Sequence, residues 1–240
     1  MTSDARGVFS NGQAERLPLF PLGTVLLPDG VLPLRVFEVR YLEMIGQCLR
    51  DGQPFGVVLL ERGTEVRRPG QAERLAGVAT CARIVAHERP QPGLIQLVCH
   101  GFERVRLHQA HQEKNGLWVS QATVLPQDDP GWGVLPDLEP AVHLLAQLLD
   151  RAGGSKGRAA AQPADPHPRP LFAGQPQLKQ PGWVANRWIE LLPLDMRRKQ
   201  QLLEVDSPIL RLELVADLLR QHRLIAVSYT HLTLPTKRIV

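Results

Sequence analysis

A proline-rich apolar stretch near the amino terminus constrains the fold more than any other part of the sequence. Arg16–Leu49 is rich in leucine, and its apolar runs are typical of a buried strand. Proline has no N–H to donate to a β-ladder, so prolines in such a stretch belong at a sheet edge, a strand end or a crossing loop. The stretch has four prolines, namely Pro18, Pro21, Pro28 and Pro33.

The same stretch then passes into a helix. After a turn at Asp29-Gly30 and an extended segment from Pro33, apolar residues recur at the spacing of one helical face, while Glu38 and Arg40 fall outside that face. Gly52 is expected to end the helix. The residues of the apolar face are Phe37, Tyr41, Met44, Ile45, Cys48 and Leu49.

A series of strand patterns separated by turn residues follows. Asn115-Gly116 is the strongest hairpin signal, and Pro90–Gly93 is a second turn. Such short strands with tight turns predict an antiparallel barrel or sandwich rather than alternating strands and helices. The predicted strands are 55–61, 75–86, 94–100, 102–110 and 118–125.

The second half of the sequence has helical patterns instead. Helices are predicted over 138–151, 183–192, 195–204 and 207–219, with Asp195 and either Asp206 or Ser207 as amino-terminal caps. The expected organisation is a disordered leader (1–15), a β-rich part (16–127) and a helical part (128–226). Residues 153–182, rich in Gly, Pro and Ala, predict a flexible insertion. Residues 227–240 resemble translated adapter sequence, so we expect a non-native tail.

Composition favours an ordinary globular protein of the cytoplasm. Net charge is +4, and without Lys237 and Arg238 of the tail it is 4 − 2 = +2, too small to argue for nucleic-acid binding. Three cysteines without a CxxC pair argue against a disulfide framework or a zinc site. No secretory signal and no apolar run near 20 residues is visible.

The sequence lacks the common patterns of catalytic and metal sites. There is no HExxH or GxSxG motif. His108 and His111 are three apart, which on a regular strand places them on opposite faces. Asp128-Asp129 beside Pro130-Gly131 is interpreted as a solvated turn. The sequence therefore predicts no catalytic residue, no metal site and no cofactor.

Several motifs resemble the substrate-binding amino-terminal domain of Lon proteases, most closely its stand-alone bacterial relatives. They are Leu17–Leu22, Leu32–Leu34, Phe37-Glu38 with Arg40-Tyr41, Phe55–Val58 and Ala185–Leu194. The resemblance covers roughly Arg16–Gln221 apart from 153–182. It implies an α+β fold, with a PUA-like antiparallel β-barrel and one packed helix followed by a small helical bundle.

The resemblance also implies recognition without catalysis. Lon proteases continue into an ATPase module and a Ser-Lys peptidase. Here no GxxxxGK[ST] phosphate loop is present, since Gly153–Gly157 has the composition without the spacing. We therefore expect a non-catalytic module that binds unfolded or exposed apolar polypeptide, as an adaptor to a protease or chaperone or independently.

The residues around Phe37–Tyr41 have two interpretations. In the structural one, Phe37 and Tyr41 pack on one face, while Glu38 and Arg40 fix the start of the helix by hydrogen bonds to nearby strands. In the functional one, a rim near the proline-rich edge reads extended polypeptide. The residues of this candidate rim are Leu19, Phe20, Leu22, Arg35, Glu38 and Arg40.

RNA binding is the alternative function. Folds of the PUA type bind RNA in other families, and Arg67-Arg68 lies in a basic loop that could meet phosphates. Glu65 and Glu73 interleave with these arginines, and no set of aromatic residues for base stacking accompanies them. A mixed, solvated loop is therefore the favoured interpretation.

Overall fold

The fold combines one strongly curved β-sheet with five α-helices among the residues that the structure describes. The computed structural model describes residues 14–63, 73–128, 131, 133–152 and 172–225. The strands are β1 (Glu15–Leu22), β2 (Val31–Val36), β3 (Phe55–Arg62), β4 (Arg74–Gln91), β5 (Leu94–Gln112) and β6 (Trp118–Val124). The helices are α1 (Val39–Asp51), α2 (Glu139–Arg151, preceded by a 3-10 turn at Pro136–Leu138), α3 (Pro181–Leu191), α4 (Met196–Leu203) and α5 (Pro208–Gln221).

The sheet closes into a barrel. Its strand order is β2-β5-β4-β3-β1-β6, and an additional pairing of β5 with β6 joins the two sides. The predicted α+β class with a β-barrel is thus confirmed. One detail differs from the expected antiparallel arrangement, because β1 and β3 pair in parallel, from Leu19↔Gly56 to Leu22↔Leu59. The connection between them contains β2 and α1, which is long enough for a parallel crossover.

The prolines of β1 lie where the strand has a single neighbour. β1 pairs with β6 over Glu15–Leu19 and with β3 over Leu19–Leu22, so the two ladders overlap only at Leu19. Pro18 and Pro21 fall on either side of that overlap, where a missing N–H can face an unpaired side. Pro33 lies in β2, which pairs with β5 alone within the described residues.

Strand β5 is one continuous strand, whereas the sequence predicts two strands separated at Gly101. The reason is the close approach of another segment. The backbone of Gly101 exchanges hydrogen bonds with the 29–30 turn, from Asp29 N to Gly101 O and from Gly101 N to Gly30 O, both at 2.9 Å. A Cβ at Gly101 would lie 2.5 Å from the carbonyl oxygen of Leu27. Glycine here permits that contact and does not break the strand.

The apolar core has three parts. One cluster packs α1 against the sheet and contains Tyr41 and Phe55. A second lies on the opposite sides of the strands, around Leu19 and Val105. The third joins α2, α3, α4 and α5 and reaches Leu27 of the β-rich part. Helices and barrel therefore share buried surface.

The expected flexible insertion is structured at its carboxyl-terminal end. Phe172 is buried, forms a β-bridge with Gly30 and packs edge-on against Trp183 with ring centroids 5.1 Å apart. Helix α3 starts at Pro181, inside the range 153–182 assigned to the insertion. An aromatic side chain in a Gly/Pro-rich segment was enough to attach the segment to the core. Residues 153–171, 1–13 and 226–240 lie outside the described residues.

Several local predictions agree with the structure. Asp195 accepts a hydrogen bond from Arg198 N at the start of α4, and Ser207 accepts one from Leu210 N at the start of α5. Gly52 follows α1 with a φ of 67°. The hairpin turn uses Gly116, also at positive φ, with Leu117 N bonded to the side chain of Asn115.

Candidate functional site

The apolar residues of the predicted rim are buried. Leu19, Phe20 and Leu22 all lie in the core, and Phe20 stacks on Tyr41 with ring centroids 4.2 Å apart. Because β1 is an inner strand covered on both faces, its side chains have no access to a polypeptide in this structure. The expectation that these three residues form an exposed edge is therefore corrected.

Arg40 fixes the start of α1, as the structural interpretation predicts. Its guanidinium is buried, donates to the carbonyl oxygen of Gly116 at 2.8 Å and pairs with Glu38 at 3.0 Å. It also lies over the Tyr41 ring, 4.5 Å from the centroid. Arg40 thus joins α1 to the β5–β6 turn, and these contacts occupy the N–H donors of its guanidinium group.

Phe37, by contrast, does not share the buried face on which Tyr41 lies. The side chain is 58% exposed, and Val39 at the start of α1 is 70% exposed. Both follow directly on the end of β2, beside the exposed Arg35 and the half-buried Glu38. Of the six predicted rim residues, Arg35 and Glu38 are the two that are accessible at this place.

These residues belong to a sheet extension, which we define as Val31–Val36 of β2, 83–91 of β4 and 94–100 of β5. In this region β5 lies between β2 and β4. Pairing of β4 with β3 ends at Ala82, and pairing of β5 with β6 starts at Val105, so the extension projects beyond the closed barrel. Its inner face packs on the α1 cluster through Ile95, Leu97 and Cys99.

The extension has two open edges. The outer sides of β2 and of β4 residues 84–89 have no strand neighbour among the residues that the structure describes. Val85 on the β4 edge is 48% exposed. Unpaired N–H and C=O groups beside accessible apolar side chains make this surface suitable for contact with another polypeptide.

A groove of about 330 Å³ lies elsewhere, between α1, the start of β1 and the β5–β6 turn. Its apolar lining includes Leu17, Met44 and Cys48, and the ion pair of Arg16 with Glu113 lies at its side. Burial raises the pKa of the Cys48 thiol to about 11, so this thiol is protonated and unreactive near neutral pH.

A second cavity of about 270 Å³ lies between the barrel and α3. Two buried polar atoms on its lining residues, Glu103 Oε2 and Trp183 Nε1, have no hydrogen-bond partner among the described residues. Burial raises the pKa of Glu103, although a hydrogen bond from Gln127 and the charge of Arg83 oppose the shift.

Buried arginines hold the helices to the barrel beside this cavity. Arg211 of α5 is 0% exposed and donates to both carboxylate oxygens of Asp128, at 2.9 and 3.2 Å. Arg104 of β5 donates to the carbonyl oxygens of Leu203 and Val205. Asp128 is therefore a partner of a buried cation, and its interpretation as part of a solvated turn is corrected.

Arg187 of α3 forms the second half of this attachment. It donates to the carbonyl oxygens of Pro28 and Asp29 at 2.7 and 2.8 Å and pairs with Glu190 at 3.0 Å. Burial raises the pKa of Glu190 to about 7, against the opposing charges of Arg187 and Lys199. We call the set Asp128, Arg104, Arg211, Arg187 and Glu190 the barrel–helix joint.

Among the described residues, two arginines near the loop considered for RNA binding are engaged by neighbouring side chains. Arg67 and Arg68 lie outside the described residues. Arg74 pairs with Glu61 at 2.9 Å, and Arg83 lies over the Phe102 ring. In the described part of the chain, no group of three or more His, Cys, Asp or Glu residues is arranged to hold a metal ion, and no helix has the length and apolarity needed to span a membrane.

Comparisons with known proteins agree on one family. Residues 16–221 match the model of the ATP-dependent protease La (LON) substrate-binding domain. The chain is 30% identical over 208 residues to a Lon protease of Anaeromyxobacter dehalogenans, covering 86% of this chain and 23% of that protein. A Lon protease of Paraburkholderia phytofirmans is 30% identical over 205 residues, covering 85% of this chain and 24% of the relative. The chain thus spans about a quarter of the length of these relatives.

Solved structures show the same fold. A Lon N-terminal domain protein from Xanthomonas campestris superposes with a TM-score of 0.64 and 29% identity, covering 85% of this chain and 98% of that one. The N-terminal domain of a Mycobacterium avium complex Lon protease superposes with a TM-score of 0.56 at 18% identity, covering 87% of this chain and 100% of that one, a likeness of fold alone. From these matches and the α+β barrel with its helices, the chain belongs to the Lon substrate-binding domain family.

Proposed function

We propose that this chain binds polypeptide segments that are unfolded or expose apolar residues, and that it does so without catalysing a reaction on them. The family description supports binding of substrates, and the relatives named above are Lon proteases. The observation that carries the proposal is the pair of exposed apolar side chains, Phe37 and Val39, at the end of an open-edged sheet.

Leaving the apolar side chains of this surface in water costs the folded protein stabilisation. Burying apolar area contributes about 25 cal/mol per Å² of stabilisation. Two large apolar side chains that are exposed in the free protein can therefore stabilise a complex when a partner covers them. Folded proteins bury most of their apolar side chains, whereas unfolded segments present them. Arg35 and Glu38, of opposite charge, flank Phe37, so the surface carries no strong charge preference.

Photo-crosslinking tests this proposal directly. A photoreactive residue in place of Val39 should capture reduced, carboxymethylated α-lactalbumin, which is permanently unfolded, more efficiently than the native calcium-bound form. Replacing Phe37 with Ser should lower the yield several-fold, because the apolar contact is lost. Leu210→Ser, at a residue 46% exposed on α5, is the matched control and should leave the yield unchanged. Equal capture of the folded and unfolded forms would contradict the proposal.

An adaptor role is part of the proposal. If the chain delivers bound segments, adding it to a purified bacterial Lon protease should accelerate degradation of the same unfolded substrate, and the Phe37→Ser variant should not. A chaperone partner would appear instead as faster refolding without degradation. A cytoplasmic location suits three unbridged thiols, Cys48, Cys81 and Cys99. RNA binding, the alternative, has no support among the family matches.

A further inference from the structure

We infer that a bound polypeptide adds itself as a strand to the outer edge of β4, along residues 84–89. This inference rests on the proposed function and deepens it, since it specifies the conformation of the bound segment. An extended segment would pair its backbone with β4 and become a fourth strand of the sheet extension.

The β4 edge offers backbone groups for such pairing. Beyond Ala82, β4 pairs with β5 on one side, and its other side faces no strand among the described residues. Alternate N–H and C=O groups along six residues of a strand point to this open side over about 20 Å. Residues 85–89 are all exposed, so no described side chain covers the edge. A polypeptide backbone is the ligand that matches such a row of donors and acceptors.

The edge of β2 is less suitable. Pro33 lies in the middle of β2 and has no N–H to donate. The segment just before β2 is already occupied, because Gly30 forms a β-bridge with Phe172. In β4 the first proline of the open segment is Pro90, beyond the proposed contact. No proline therefore interrupts the open edge of β4 over 84–89, whereas Pro33 interrupts that of β2.

Two register irregularities limit the length of the contact. The β4–β5 ladder shifts between Ile84 and Ala86 and again between Glu88 and Gln91. Such bulges bend a strand and discourage long edge-to-edge association between copies of a protein. They leave a short segment free, which favours transient pairing with one extended stretch. His87, Glu88 and Arg89 carry mixed charges and impose no strong sequence selection.

The apolar surface used in the proposed function lies within reach of this edge. β2 and β4 flank β5, so a strand added outside β4 would lie about three strand spacings, or about 14 Å, from β2. Val85 provides an accessible apolar side chain on the β4 edge itself. One segment can thus pair with β4 while neighbouring residues of the same polypeptide contact Phe37.

Hydrogen exchange distinguishes strand addition from side-chain contact. On adding excess reduced, carboxymethylated α-lactalbumin to the full chain, amides within residues 84–90 should exchange at least five-fold more slowly, while those of α5 should be unchanged. Val85→Lys, which places a charge on the edge, should weaken binding about ten-fold. Val85→Thr should bind nearly as the original, since the backbone makes the contact. Leu210→Lys is the control of similar exposure.

The outcomes separate the two claims. Binding of the unfolded probe without slower exchange in β4, or with protection in β2 instead, overturns strand addition and leaves the proposed function intact. Binding by Val85→Lys as tight as that of the original chain also overturns it. No binding of the unfolded probe by any form of the chain overturns the proposed function itself. Circular dichroism of each variant verifies that the fold is retained.

Discussion

Replacing Asp128 with Asn should destabilise the protein far more than an ordinary surface substitution. The carboxylate accepts two hydrogen bonds from Arg211, whose side chain is 0% exposed, and lies 3.7 Å from Arg104. Removing its charge leaves two buried guanidinium groups near each other, with only the exposed Asp206, 3.8 Å from Arg104, as a remaining anion. Burial and the neighbouring Arg211 already lower the pKa of Arg104 to about 10.

The magnitude follows from the class of interaction. Removing one partner of a buried ion pair costs about 3–5 kcal/mol, because the other charge stays buried and unpaired. Arg211 keeps hydrogen bonds to the carbonyl oxygen of Val205 and to Asn186, so we expect the lower end, about 3 kcal/mol. Set against a total stability of about 5–15 kcal/mol, this is a large loss. The exposed pair Asp217–Arg220 supplies the contrast, since breaking it should cost about 1 kcal/mol or less.

Urea unfolding followed by tryptophan fluorescence measures the effect, since Trp183 and Trp188 of α3 lie in the core. Asp128→Asn should lower the unfolding midpoint with an unchanged m-value, and Asp217→Asn should hardly alter it. The double variant Asp128→Ala with Arg211→Met should lose less than the sum of the single losses, as coupled partners do. Equal losses for Asp128→Asn and Asp217→Asn would refute the reasoning.

A glycine on α3 tests the same contact from the other side. A Cβ at Gly182 would lie 1.7 Å from Asp128 Oδ2, so Gly182→Ala must displace the carboxylate from Arg211. The loss of stability should approach that of Asp128→Asn. Gly77→Ala is the matched control, because a Cβ at Gly77 meets no described atom within 4 Å. A Gly182→Ala variant as stable as Gly77→Ala would show that the carboxylate is not held as described.

Three further predictions concern titration, thiols and a helix cap. Burial raises the pKa of Glu190 from 4.5 to about 7, so the folded state binds the proton more tightly than the unfolded state does. The protonated Glu190 therefore contributes stability that is full below about pH 4.5 and is lost as pH rises through 7. Glu190→Gln lacks this titration, so its free energy of unfolding minus that of the original protein should rise by at most about 3 kcal/mol from pH 5 to pH 8 in urea titrations. A difference that does not change with pH would contradict this. Burial raises the pKa of Cys48 to about 11 and of Cys99 to about 12, so mass spectrometry should find neither alkylated by iodoacetamide at pH 8 until urea unfolds the chain. Asp195→Ala removes the cap of α4 and should cost about 1 kcal/mol in the same unfolding assay, whereas an unchanged midpoint would show that the cap contributes nothing.

Local chemistry made much of the fold predictable. The spacing of Tyr41, Met44 and Ile45 identifies the buried face of α1, and Gly52 identifies its end, because each depends on neighbours within a few residues. Asp195 and Asn115 act on backbone groups two or three residues away, so their roles were also visible in the sequence. The motifs of Arg16–Leu49 are likewise formed by neighbouring residues, so their resemblance to the Lon substrate-binding domain could be recognised in the sequence.

The errors came from contacts between distant segments. Leu19, Phe20 and Leu22 were expected at an edge, but the core clusters that bury the two faces of β1 cannot be deduced from alternation along β1 itself. Asp128 looked like a turn residue because its partner Arg211 lies 83 positions away. Phe37 matched a helical stripe although α1 starts after it, at Val39. In the last case the error concealed the exposed apolar side chain on which the proposed function depends.

Energetics set the strength expected of strand addition. Fixing six backbone residues of an unfolded segment costs about 6–12 kcal/mol, at roughly 1–2 kcal/mol each. Hydrogen bonds along the edge return about 0.5–1.5 kcal/mol apiece, so backbone pairing alone does not offset the ordering cost. Apolar contact with Phe37 and Val39 must supply the difference, which explains why an open edge and exposed apolar side chains belong together. The inner face of the extension is held on α1, so the protein side of the edge is already ordered and adds little cost. Weak binding by one segment follows, and a polypeptide that exposes many such segments, as an unfolded chain does, is captured more often than a folded one.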